Sequence, residues 1–128
     1  NYELSSSFLV KIGVDIVSIP RFEALSGSPS FLRRCFTPKE LEYCCSNSYP
    51  PQHFAVRFAG KEAVVKALSG FGLSLEYNNI EITNDETGRP IVTYLTRNPE
   101  FQNLRTDISL SHSDSSAVAF AIVYTTDE

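Results

Sequence analysis

Residues 52–68 read QHFAVRFAGKEAVVKAL, and the fold of the chain depends on this stretch. At 100° per residue of an α-helix, the large apolar side chains share one face, and small residues cover most of the remaining circumference. The shared face carries Phe54, Phe58, Val65 and Leu68. A helix with so few polar positions is buried on most sides. The stretch therefore predicts one long central helix around which the other elements pack.

Two of the charges in this helix, Glu62 and Lys66, lie among its small residues. They lie one turn apart, so they could form an ordinary pair on a solvated strip or occupy a cleft where charge has a task. Gly60 favours the cleft, because glycine in a helix interior costs about 1 kcal/mol relative to alanine. That cost is easier to explain if another backbone or a ligand approaches the helix closely at Gly60.

The segments around the central helix predict short elements of both kinds. Before it we expect a strand over 8–17, a short helix over 19–25, a loop over 26–29, and a helix from the capping box at Thr37 to about Cys45. After it we expect strands over 80–83 and 90–95, a short helix from Asn98, and a hairpin of 107–112 with 117–124. This order predicts an α+β fold in which an antiparallel sheet packs against one long helix and several short ones.

Length and charge narrow the class of protein. The 128 residues predict a single domain over 1–128, and no apolar run is long enough to cross a membrane. The formal charge of −4 argues against a nucleic-acid partner, because phosphate contacts need a basic surface. Three cysteines without metal-ligand spacing, and a start without the pattern of a signal peptide, predict reduced thiols and a cytoplasmic protein.

The residues that could carry chemistry are few. Asp15 is the one acid in the first predicted strand, and Glu62 comes from the helix. Proteins usually hold magnesium by one or two carboxylates, with water and substrate phosphate oxygens as the other ligands. Asp15 and Glu62 could supply these two carboxylates. Lys66 beside them could neutralise a departing phosphate. His112 ends a strand, where a structural and a functional role are both open. The sequence has no glycine-rich phosphate loop and no HExxH helix.

Three segments resemble the motifs of a known family. They are Gly13-Val14-Asp15-Ile16-Val17 followed by Arg21, the helical run RFAGKEAVVKA from Arg57 to Ala67, and Ser109-Leu110-Ser111-His112-Ser113. All three are similar to motifs of the holo-acyl-carrier-protein synthases, the short class of 4′-phosphopantetheinyl transferases. The segments 36–41 and 85–90 also look like family segments in the correct order, so the resemblance covers about residues 11–123.

The resemblance implies the 4′-phosphopantetheinyl transferase fold and a reaction of fatty acid biosynthesis. The 4′-phosphopantetheine arm of coenzyme A would move to a serine of an acyl carrier protein, releasing adenosine 3′,5′-bisphosphate. By the same resemblance, Asp15 and Glu62 would bind Mg²⁺, and Lys66 would stabilise the leaving phosphate. Arg57, His112 and Ser113 would bind the coenzyme A phosphates. The family also implies a homotrimer with sites between subunits, and the general base stays open.

The sequence leaves alternatives open for the surface that meets the carrier protein and for the type of reaction. Residues 19–39 carry a net charge of +3 and the rest of the chain −7, so this basic stretch could meet an acidic carrier protein, with Arg21 as the candidate contact. The same charges could instead only solvate a surface. A metal-dependent phosphohydrolase that cleaves coenzyme A, and a non-catalytic carrier-binding module of the same fold, are the two other functions that fit these residues.

Overall fold

The computed structural model describes residues 8–126 and confirms the α+β class. Its longest helix, α4, spans Pro50–Ser69 at the centre of the chain. Along the described residues the elements are β1 (Val10–Ser18), α1 (Arg21–Leu25), α2 (Pro29–Cys35), α3 (Pro38–Cys45), α4, β2 (Ile80–Asn84), β3 (Pro90–Tyr94), β4 (Leu104–His112) and β5 (Ser116–Thr125). Single 3₁₀ turns lie at Tyr77–Asn79 and Pro99–Phe101. None of the described helices is long and apolar enough to span a membrane.

The starts of the helices follow local capping chemistry. At α3 both bonds of the predicted capping box are present: the Thr37 hydroxyl accepts from the Glu40 amide, and a Glu40 carboxylate oxygen accepts from the Thr37 amide at 2.9 Å. Helix α4 begins two residues earlier than predicted. Pro50 and Pro51 occupy its first turn. An N–H group in the first turn of a helix has no carbonyl partner within the helix, so proline, which has no N–H group, loses no hydrogen bond there.

Helix α2 is an element that the sequence-based prediction missed. The segment 26–29 was expected to be a loop, and nothing was predicted between it and Thr37. The Ser28 side chain instead caps a helix by accepting from the Phe31 amide at 3.4 Å, with Pro29 at the first helical position. A serine followed by a proline can mark the start of a helix as well as a turn. The loop prediction was therefore wrong for Pro29, which is the first residue of α2.

A three-stranded antiparallel sheet in the order β1-β5-β4 packs against α4. On β5 alternate residues that face the helix are small and buried, namely Ala117, Ala119, Ala121 and Val123. On β1 the contact is closer still, because a Cβ added to Gly13 would lie 2.0 Å from the Ala63 carbonyl oxygen.

The prediction of a backbone or ligand against Gly60 was wrong. The groups nearest to a Cβ there are the Ile82 and Leu110 side chains, at 2.7 and 3.2 Å.

The β2–β3 hairpin forms a separate two-stranded sheet, and a buried ionic network ties β2 to α3 and α4. Lys61 and Glu40 are fully buried and 2.7 Å apart. Lys61 also donates to the carbonyls of Tyr77, at 2.8 Å, and Ile80. The second carboxylate oxygen of Glu40 accepts from the Ile82 amide at 2.6 Å. Every polar atom of the pair has a partner, so the network fixes the hairpin relative to the central helix.

The sheet face that points away from α4 is apolar and exposed. Ile12 and Ile16 on the edge strand β1 are 62% and 68% exposed, and Phe120 on β5 is 44% exposed. Val14 and Val118 belong to the same face. We call these five residues the apolar sheet face. Monomers seldom leave such a contiguous patch uncovered, so this face has the character of an interface.

Candidate active site

Asp15 and Lys66 form an ion pair between β1 and α4. Asp15 lies on the helix-facing side of β1, in the same alternation as the buried residues Gly13 and Val17. The Lys66 ammonium donates to its carboxylate at 3.0 Å and to the Val14 carbonyl at 2.9 Å. The pairing of Lys66 with Glu62 along the helix, one of the two alternatives from sequence, is therefore wrong. The Lys66 side chain is 53% exposed, so its ammonium remains accessible to a ligand.

Glu62 joins the same region through Tyr77. Burial, a side-chain hydrogen bond with Glu62, and the charges of Glu62 and Asp15 together raise the pKa of Tyr77 to about 12. The charges of both carboxylates therefore act on one phenol, which keeps its proton at physiological pH. Tyr77 was not predicted as a site residue. It comes from the 3₁₀ turn after α4, and no local sequence pattern places that turn beside Asp15.

The two carboxylates fit a hard divalent cation. Among the described residues there is no group of three or more His, Cys, Asp and Glu side chains that could hold a metal. The protein would thus offer Asp15 and Glu62 as two oxygen ligands, and the remaining ligands would be water and phosphate. Magnesium has this preference, because it dehydrates reluctantly and is usually held by one or two carboxylates plus substrate phosphates.

Arg57 is held rigidly on another side of α4. Its Nε donates to the Ile82 carbonyl at 3.3 Å, and one terminal nitrogen donates to the Asn84 side-chain oxygen at 2.5 Å. The guanidinium lies 4.2 Å from the centre of the Tyr43 ring. Only 4% of the residue is exposed. Cation–π stacking and the two hydrogen bonds that Arg57 donates to β2 thus fix the direction of this charge before any ligand binds.

A cavity of about 610 Å³ opens beside Arg57. Its wall carries four basic side chains, Arg57, Arg89, His53 and His112, and no carboxylate among its lining residues. In a chain with a net charge of −4, two arginines and two histidines without a neighbouring carboxylate favour an anionic ligand. His112 also lies 3.2 Å from the Gln52 amide nitrogen. The neighbouring Ser113 is exposed, and its hydroxyl accepts from the Ser115 and Ser116 amides in the β4–β5 turn.

The structure thus divides the predicted site residues into two groups. Five residues separate Arg57 from Glu62, which rotates their side chains about 140° apart around the helix, and Lys66 is about 180° from Arg57. Arg57 contacts α3 and β2, whereas Lys66 contacts β1. We call Arg57 and the other basic residues of the cavity the cation group, and Asp15, Glu62 and Lys66 the carboxylate group.

The basic stretch 19–39 lies on the surface. Arg21 opens α1 directly after β1 and is exposed, with its guanidinium 5.9 Å from the centre of the Phe22 ring. Arg33, Arg34 and Lys39 are exposed as well. Phe22 itself is fully buried, so the stretch presents charge outward while its aromatic side chains enter the core.

Known proteins are similar to this chain in sequence and in fold. A sequence profile of the 4′-phosphopantetheinyl transferase superfamily matches residues 11–123. The chain is 43% identical over 118 residues to the holo-[acyl-carrier-protein] synthase of Caldicellulosiruptor saccharolyticus, covering 89% of this chain and 95% of that relative. It is 38% identical over 118 residues to the protein of the same name from Syntrophus aciditrophicus, covering 87% and 92%.

Solved structures agree with these matches. The holo-(acyl-carrier-protein) synthase of Bacillus anthracis, in complex with CoA (3′,5′-ADP), is similar with a TM-score of 0.78 at 29% identity. The match covers 93% of this chain and 99% of that one. The motifs, the fold and the extent of the matches lead to one assignment: the chain belongs to the holo-acyl-carrier-protein synthases of the 4′-phosphopantetheinyl transferase superfamily.

Proposed function

We propose that this protein moves the 4′-phosphopantetheine group of coenzyme A to a serine of an acyl carrier protein, in magnesium-dependent sites shared between subunits. The observation that carries the proposal is the basic cavity at Arg57 and His112, in a chain that is acidic overall. The related Bacillus anthracis protein is described in complex with CoA (3′,5′-ADP), a ligand with the phosphate groups that such a cavity suits.

The roles of the residues follow from charge and position. Arg57 and His112 bind the phosphates of coenzyme A and orient its pyrophosphate. Asp15 and Glu62 hold Mg²⁺, which when bound neutralises charge on the pyrophosphate oxygens. The serine hydroxyl releases its proton to solvent as its oxygen bonds to the phosphorus that carries pantetheine, and the bond from this phosphorus to the bridging oxygen breaks. Lys66 offsets the charge that develops on the departing adenosine 3′,5′-bisphosphate, because positioning and charge neutralisation dominate phosphoryl transfer.

The division of the site supports a trimer. One subunit presents its cation group and its carboxylate group on different sides of α4, so neither side alone offers both. The carboxylate group lies next to the apolar sheet face: a cavity of about 280 Å³ is lined by Lys66 together with Ile12, Val14 and Phe120. We infer that this face packs against a neighbouring copy, whose cation group completes the site beside Lys66. Three copies in a closed ring would bury every such face and build three sites.

Intact mass spectrometry tests the transfer. Incubation of an apo acyl carrier protein with coenzyme A, Mg²⁺ and this protein should add one phosphopantetheine to the carrier. Removal of Mg²⁺ by a chelator, or Asp15→Asn, should abolish the adduct. Hydrolysed coenzyme A without an adduct would support the phosphohydrolase, and unchanged reactants would support the binding module. Full turnover by Asp15→Asn would contradict the metal assignment.

Mixing two inactive variants tests the shared site. Arg57→Ala damages the cation group and Glu62→Gln the carboxylate group, so each protein alone should be inactive. After the subunits of equal amounts are exchanged at random, about a quarter of the sites should hold both intact groups, because each group comes from an independent subunit. A mixture as inactive as its components, with exchange verified by mass spectrometry, would contradict sharing. The matched control mixes Asp15→Asn with Glu62→Gln, which damage the same group and should not complement.

The carrier is proposed to bind near Arg21. Acyl carrier proteins of fatty acid biosynthesis are acidic, and exposed charges steer such partners over about 10 Å at 0.1 M salt. Arg21→Glu should raise KM for the carrier about tenfold without changing KM for coenzyme A. The control Arg97→Glu changes an exposed arginine outside the basic stretch by the same charge. Equal carrier kinetics for Arg21→Glu and Arg97→Glu, at low and high salt, would leave the stretch as a solvated surface.

The state of the cysteines indicates the cell compartment in which the reaction takes place. Cys35, Cys44 and Cys45 are free thiols, and burial raises the pKa of Cys44 to about 12, which keeps it protonated. Free cysteines suit a reducing compartment, so we place the reaction in the cytoplasm.

A further inference from the structure

His53 lies on the wall of the basic cavity, but the roles assigned above do not use it. Its imidazole packs edge-on against Tyr43, with 5.7 Å between ring centres and an angle of 79°. The same phenol ring stacks with the guanidinium of Arg57. Tyr43 therefore holds two basic side chains at once, and it positions His53 next to Arg57 at the cavity wall.

The charged groups around His53 are all basic. Arg57 comes from the same helix, His112 from β4, and Arg89 from the β2–β3 turn, while α3 contributes the neutral ring of Tyr43. Among residues 8–126, no carboxylate lines the cavity. Burial lowers the pKa of His53 below its usual value of 6.5, and the positive charges of Arg57 and His112 lower it further. In the absence of an anion His53 is consequently neutral near pH 7.

A bound phosphate changes this balance. Its negative charge offsets the repulsion from Arg57 and His112, and an imidazolium can donate a charge-assisted hydrogen bond that a phosphate accepts. We propose that His53 is a further phosphate-binding residue, which takes a proton from solvent when the phosphate groups of an adenosine bisphosphate enter the cavity. The proposal rests on the proposed function, because it assumes that this cavity holds the phosphates of coenzyme A.

Nuclear magnetic resonance can follow this proton directly, since the chain has only two histidines. The imidazole signals of the wild-type protein are titrated with pH, with and without adenosine 3′,5′-bisphosphate. His53→Gln and His112→Gln assign the two signals. The titration midpoint of His53 should rise by about one pH unit or more when the bisphosphate binds. The wild-type titration does not depend on the folding of any variant.

Calorimetry gives the matching measurement of affinity and proton uptake. Binding of adenosine 3′,5′-bisphosphate is measured in buffers with different ionisation enthalpies, whose comparison yields the protons taken up. Wild-type protein should take up more than His53→Gln. The substitution should weaken binding about fivefold near pH 6, where His53 would be protonated in the complex, and less near pH 8.

The outcomes separate this proposal from the function on which it rests. If the bisphosphate binds but the titration of His53 does not move, and His53→Gln takes up as many protons as the wild type, His53 is not a phosphate ligand. The cavity would then keep its proposed function, with the ligand's own phosphate accounting for the uptake. If the wild-type protein does not bind the bisphosphate at all, the proposed function of the cavity fails, and the role of His53 fails with it.

Discussion

Lys61 and Lys66 are five residues apart on α4 and have opposite environments. Lys61 is fully buried beside Glu40 and donates to two carbonyls, whereas Lys66 is more than half exposed beside Asp15. Burial lowers the pKa of Lys61, and the charge of Glu40 acts in the opposite direction. The sequence indicates a role only for Lys66, because the partners of Lys61 come from α3, the 3₁₀ turn and β2, which are distant in the chain.

Replacing Lys61 alone should destabilise the protein more than replacing Lys61 and Glu40 together. Lys61→Met leaves the Glu40 carboxylate buried without its cation, so it should lower the free energy of unfolding by about 3 to 5 kcal/mol. Adding Glu40→Gln removes the unpaired charge and keeps an acceptor for the Ile82 amide, so the double variant should recover part of the loss. Urea unfolding of the three proteins measures this. A double variant less stable than Lys61→Met would contradict the charge argument.

Lys66 should act on the rate more than on binding. Its ammonium is proposed to neutralise charge that develops as the bond to phosphorus breaks, so Lys66→Ala should lower kcat about 100-fold. The dissociation constant for coenzyme A should change less than about threefold. Lys11→Ala is the matched control, since Lys11 lies on β1 outside both groups. A loss of affinity as large as the loss of kcat would make Lys66 a ground-state ligand instead.

At the level of elements, the contact between β1 and α4 depends on Gly13. A methyl group there would meet the Ala63 carbonyl oxygen of the helix backbone, which cannot move without shifting α4 or β1. Gly13→Ala should therefore cost about 3 kcal/mol of stability. Gly60→Ala is the matched control, because the end of the Ile82 side chain can move and alanine favours the helix by about 1 kcal/mol. Its stability should stay within about 1 kcal/mol of the wild type, and equal losses in the two variants would contradict this account.

Periodicity and capping residues predicted most elements, because these signals are local. The capping box at Thr37 and the apolar pattern of α4 are complete within a few turns of chain. The cavity wall could not be predicted in this way. Tyr43 stacks with Arg57 through the packing of α3 on α4, and His53 reads as one more position of an apolar helix. The sequence predicted Lys66 in one site with Asp15, but not their ion pair, since Asp15 is 51 positions away in sequence.

At the level of the whole molecule, the apolar sheet face should control assembly. Ile16→Glu places a charge at the most exposed position of that face, and its burial between subunits would leave the charge unpaired. The variant should sediment with the mass of a single chain and lose transfer activity, whereas the wild type should sediment as three chains. Ile91→Glu is the control, since Ile91 is 43% exposed on β3, in the other sheet. A fully active single chain would contradict the shared site.

The separation of the cation group from the carboxylate group around α4 also constrains how the gene can evolve. In the proposed shared site, each of the identical chains must keep both groups, because one sequence would supply both halves of every site. Duplication and fusion of the gene would relax this requirement. A single site would then need the Arg57 side of one repeat and the Glu62 side of the other, so each repeat would be free to lose the half that it no longer uses.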